Sequence, residues 1–146
     1  MSPTQEKSVD VLNSFLRGEI SAVETYRQAL DKLNASPSHT LLHECLQSHA
    51  ERVSVLTQQI RTLGGAPSTS SGVWGAFAKA VEGSAKIFGE EAAIAALEEG
   101  EDHGRNDYRR DVSKLDTASR QIVQSRVIPE QERTHAAMSQ LKHSLQ

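Results

Sequence analysis

The feature that most restricts the fold of this chain is an internal echo. "GEISAVETYR" at 18–27 and "GEDHGRNDYR" at 100–109 share Gly-Glu, six unlike residues and then Tyr-Arg, 82 positions apart. Seven residues separate each Glu from its Tyr, close to two helical turns, so both side chains fall on one stripe of a helix. A repeat of this kind asks for two similar substructures.

Apolar spacing extends the echo into hairpins. Leu12, Leu16, Val23, Tyr26, Leu30 and Leu33 advance in helical steps and predict a first helix, with Glu19 inside its apolar stripe. "NASPS" at 34–38 supplies a turn and a new N-cap. The second stripe runs through Leu42, Leu46, His49, Val53, Leu56, Ile60 and Leu63, and stops at "LGGAP". A third stripe contains Ile94, Leu97, Glu101, Gly104, Tyr108, Val112 and Leu115. The fourth starts near Asp116 or Thr117 and carries Val123, Val127, Gln131, Thr134, Met138, Leu141 and Leu145; Pro129 is expected to kink or split it.

Shifting the first hairpin by 82 places Leu33 on Leu115, Leu56 on Met138 and Leu63 on Leu145. The expected fold is therefore all-α. It is one domain over 1–146: a four-helix bundle of two similar hairpins, at about 5–64 and about 90–145, joined by a crossover at about 65–89. The crossover sequence "VWGAFAKAVEGSAKIF" suggests a short helix, weakened by Gly83 and Gly89.

Composition narrows the function classes. The formal net charge of −3 arises from 16 basic and 19 acidic residues spread over both halves, without a basic stripe, which argues against nucleic acid as a partner. No apolar run approaches the roughly 20 residues that span a bilayer. Cys45 is the lone cysteine, and the N-terminus lacks a signal-peptide pattern, so a cytoplasmic protein is expected. No Gly-rich phosphate loop, Ser-His-Asp set or paired C-x-x-C is present. Helices rich in small residues leave packing faces that suit a homodimer.

The chemistry must come from polar residues inside apolar stripes. Burying Glu19 or Glu101 alone is costly, so each needs a partner: a shared proton, a cation such as Arg27 or Arg109, or a metal ion. His49 intrudes on the second stripe in the same way. "ERTH" offers Glu132 and His135 at E-x-x-H spacing on the fourth helix, although Glu132 falls off the Met138 and Leu141 stripe. Tyr26 and Tyr108 supply hydroxyls nearby. A carboxylate hydrogen-bonded to Tyr or Arg in a structural network is the competing reading of Glu19 and Glu101.

Over nearly its whole length the chain resembles the ferritin-like superfamily, and more narrowly a bacterial ferritin-like four-helix-bundle family of unknown function. The residues that carry the likeness are the two "GE......YR" segments, the "LGG.P" end of the second helix and the Trp-containing crossover. The resemblance implies an iron or manganese centre, with Glu on the first and third helices and E-x-x-H on the second and fourth. Glu19, Glu101, Glu132 and His135 match that pattern. The second helix departs from it: "ERVS" at 51–54 puts serine where histidine belongs, leaving His49 as the substitute. Two readings follow. One is a stress-related metal-binding bundle using Glu19, His49, Glu101, Glu132 and His135. The other is a non-catalytic structural or interaction bundle with a degenerate site.

Overall fold

Ser2 starts the first helix with a reciprocal cap: its hydroxyl accepts from the Gln5 amide, and the Gln5 side chain accepts from the Ser2 amide. Pro3 follows at the first helical position, where the N–H has no partner within the helix to lose and the fixed φ of proline suits the first turn. The computed structural model describes residues 1–34, 36–72, 79, 83 and 88–146. Helix α1 spans Pro3–Lys32, and α2 spans His39–Thr62. Beyond α2, Gly64 adopts φ 85°, as the sequence pattern of a glycine stop requires. Gly65 is fixed by packing, since a Cβ there would come 2.7 Å from Val9 Cγ1.

Helix α3 spans Glu90–Asp111 and ends in a 3₁₀ turn at Val112–Lys114. The fourth rod is divided. Helix α4, Thr117–Ile122, is capped by the Asp116 carboxylate; a π-helical turn, Val123–Val127, leads into α5, Ile128–Ser144. Pro129 lacks the N–H that would bond one turn back, and the wider turn accommodates its ring. The extra residue also holds Val123, Val127, Gln131, Thr134 and Met138 on one buried face. The short crossover helix expected from sequence falls on 73–78, 80–82 and 84–87, outside the described residues.

The described residues form an all-helical bundle with no strand among them. Helix α1 packs chiefly on α2, and α3 on α5. The ion pairs Glu98–Lys142, Asp102–His135 and Arg109–Glu132 show that α3 and α5 run antiparallel. Between the hairpins, Tyr26 reaches Glu101 while Tyr108 reaches Glu19, so α1 and α3 are antiparallel too. Two apolar clusters fill the bundle. Leu12, Phe15, Leu16, Leu56, Ile60 and Val127 belong to one; Ala29, Leu42, Cys45, Ile94, Leu97 and Met138 belong to the other. Along every rod, a polar layer separates them.

Candidate functional site

That polar layer contains Glu19 from α1, His49 and Arg52 from α2, Glu101 from α3, and Gln131 and Thr134 from α5, all buried. His49 stands at its centre. Its Nδ1 donates to Glu19 Oε1 at 2.6 Å and its Nε2 donates to Glu101 Oε2 at 2.8 Å. Both ring nitrogens face carboxylate oxygens, so both must carry hydrogen, and the ring is an imidazolium. Tyr108 donates to Glu19 Oε2 at 2.8 Å, and Tyr26 donates to Glu101 Oε2 at 2.6 Å. The result is a chain of five groups across the bundle: Tyr108, Glu19, His49, Glu101, Tyr26.

Arg52 closes the network. Its guanidinium, wholly excluded from solvent, donates to Glu19 Oε2 (3.2 Å), Gln131 Oε1 (2.9 Å), Ser48 Oγ (3.1 Å), Thr134 Oγ1 (2.7 Å) and the Glu130 carbonyl (3.3 Å). Glu101 Oε1 accepts from Thr134 at 2.8 Å and from Gln131 Nε2 at 3.3 Å. Two carboxylates therefore face two cations, and the buried layer is neutral as a whole.

The electrostatics follow from that balance. Burial pushes Glu19 up, but the Arg52 and His49 charges and the hydrogen bonds from His49 and Tyr108 outweigh it and hold the carboxyl below its usual range. Burial acts likewise on Glu101 and is outweighed chiefly by His49, bringing that carboxyl to about 2. For His49, burial and the Arg52 charge favour the neutral ring, but Glu101 and Glu19 prevail and raise its pKa. Burial and the neighbouring carboxylates keep both tyrosines neutral.

The arrangement has an internal twofold. Exchanging each residue with its counterpart 82 positions away turns the Glu19–Tyr108 bond into the Glu101–Tyr26 bond. Arg52 bonds its own counterpart, Thr134, and Ser48 bonds its counterpart, Glu130, at 2.8 Å. The counterpart of His49 is Gln131. A pocket of about 50 Å³ between α1 and α3 lies against the network, lined by the related pairs Phe15 and Leu97, Gly18 and Gly100, and Tyr26 and Tyr108. Gly104 leaves room for the Gln131 amide, whose oxygen would lie 3.3 Å from a Cβ at that position.

Three of the five metal-ligand candidates thus come together: Glu19, His49 and Glu101. Glu132 and His135 do not join them. The phase of α5 turns them outward, where Glu132 is exposed and meets Arg109 at 3.4 Å, and His135 meets Asp102 at 2.5 Å. The cation that compensates Glu19 is Arg52, whereas Arg27 and Arg109 are exposed. Arg52, Gln131 and Thr134 escaped the sequence reading as site residues, although a shift of 82 from His49 and Arg52 marks the latter two. As arranged, the four carboxylate oxygens accept N–H and O–H donors, and a metal ion would have to displace His49 and Arg52 to reach them. This donor set fits a hydrogen-bonded ion network better than a metal centre. Among the described residues, no group of three or more His, Cys, Asp or Glu is disposed to hold a metal ion.

A family model described as a domain of unknown function (DUF2383) matches residues 7–114. No curated protein and no solved structure matches the chain.

Proposed function

Because the chain belongs to this family, a domain of unknown function (DUF2383), we propose a function from its own core: a ferritin-like four-helix bundle acting as a non-catalytic structural or interaction module. In this reading the position of a metal centre is taken by the His49 and Arg52 cations. The observation that carries it is the buried Arg52 guanidinium, which links Glu19 to Gln131 and Thr134. An arginine cannot give up its proton to become a ligand, so the two carboxylates are neutralised from within the chain.

Anaerobic ferrous and manganous loading followed by elemental analysis tests this. The expected result is no more retained metal than in a Glu19→Gln, Glu101→Gln double variant. A second reading, an iron or manganese site at Glu19, His49 and Glu101, draws support from the closeness of those three side chains to one another beside the pocket. Stoichiometric metal that disappears in the double variant would establish it and overturn the first. Sedimentation of the purified chain tests the homodimer expected from its sequence. Among the described residues, no helix is long and apolar enough to cross a membrane.

A further inference from the structure

The two halves of the buried layer carry opposite charge. Hairpin one, α1 with α2, contributes Glu19, the His49 imidazolium and Arg52, a net single positive charge. Hairpin two, α3 with α5, contributes Glu101 with the neutral Gln131 and Thr134, a net single negative charge. The twofold relation means that either hairpin has the shape to face a copy of itself. Charge forbids it. Two copies of hairpin one would bury two surplus positive charges with two guanidiniums meeting where Arg52 now bonds its counterpart Thr134, and two copies of hairpin two would bury two carboxylates with no cation between them.

We propose that the unequal occupation of the repeated site, His and Arg at 49 and 52 against Gln and Thr at 131 and 134, is a pairing code. It directs hairpin one onto hairpin two and rejects like with like. The partner that fits either face is therefore the complementary hairpin, in the same chain or in a second copy of it. With 27 residues between Thr62 and Glu90, a second copy is taken up by reciprocal exchange, and each of the two sites is then completed by residues from both copies. The inference rests on the ion network of the proposed reading. Its readouts are stability and association, so it succeeds or fails apart from metal loading.

Five variants of the whole chain test the code. His49→Gln with Arg52→Thr makes hairpin one resemble hairpin two; Gln131→His with Thr134→Arg does the converse. Each double variant is expected to lose about 10 °C or more in thermal midpoint. The quadruple variant exchanges the two sites and restores neutrality, so it should recover most of the loss. Co-refolding the two double variants should yield a one-to-one heterodimer with a midpoint near that of the parent, since exchange pairs each altered hairpin with a charge-matched one. Because new side chains at 131 and 134 can fail on size alone, Gln131→Glu provides a near-isosteric check. It should destabilise, and adding Glu101→Gln should reverse the effect. A midpoint in Gln131→Glu equal to the parent's, or no recovery on adding Glu101→Gln, overturns the code. Failure of the co-refolded pair to associate overturns the exchange.

Discussion

Replacing Arg52 by methionine keeps most of the side-chain volume and removes the guanidinium that four groups besides Glu19 depend on. Glu19 Oε2 would retain only the Tyr108 hydroxyl, while Gln131 Oε1, Thr134 Oγ1, Ser48 Oγ and the Glu130 carbonyl would each lose a donor. Breaking a buried charge pair by removing one partner costs about 3–5 kcal/mol. Against a total stability of about 5–15 kcal/mol for an ordinary domain, that loss takes from about a fifth to the whole of the margin. At about 2–4 °C per kcal/mol for a chain of this size, the thermal midpoint should fall by roughly 6–20 °C. The buried layer of the variant carries one surplus negative charge, so protonating a carboxylate relieves it, and the gap to the parent should narrow as the pH is lowered. Arg52→Lys keeps the charge and loses the fork, and should fall between the two. Denaturant melts followed by circular dichroism at several pH values measure all three chains. An Arg52→Met variant within about 1 kcal/mol of the parent at neutral pH, with an unchanged pH profile, would refute the charge balance.

Other outcomes follow from the same geometry. The parent's stability should be greatest between about pH 4.5 and 6.5, the ordinary values of Glu and His. Glu101, held low, contributes above 4.5, and that contribution is lost as pH falls toward about 2; His49, held high, contributes fully below 6.5, and that is lost as pH rises through its folded value. A pH series of chemical melts would show the plateau, and a maximum well above pH 7 would contradict it. Tyr26→Phe and Tyr108→Phe should each cost about 1–2 kcal/mol, as measured by urea midpoints, because each removes one donor from a carboxylate oxygen that keeps another. Glu132→Gln and His135→Ala should each stay within about 1 kcal/mol of the parent, since both lie outside the buried layer. Gly65→Ala should destabilise by about 1–3 kcal/mol through its clash with Val9.

Much of the architecture was legible in the sequence because apolar periodicity and the 82-residue echo report the same helices independently. The stops at Gly64 and before Pro129, and the cap at Asp116, came from local chemistry that tertiary context did not override. At the site, Glu19, His49, Glu101, Tyr26 and Tyr108 could be read because a polar residue inside an apolar stripe is conspicuous. Arg52 could not. Periodicity of 3.6 lets either 52 or 53 extend the stripe after His49, and the valine at 53 fits the expectation for an interior better than an arginine does. Glu132 and His135 drew attention by their E-x-x-H spacing and its match to the ferritin-like pattern, and spacing does not report which way a helix is turned. The positions one residue earlier, 131 and 134, were already on the fourth stripe, but amide and hydroxyl groups do not announce themselves as members of an ion network.

The separation of the core into two apolar clusters by a single polar layer also governs axial sliding. Sliding any rod by one turn, about 5.4 Å, would bring leucines against the carboxylates and strand His49 or Arg52 in hydrocarbon. Apolar clusters alone tolerate such slippage, because one leucine contact replaces another. Here the penalty rises at the first step in either direction, so the layer acts as a detent that leaves the four rods one vertical alignment.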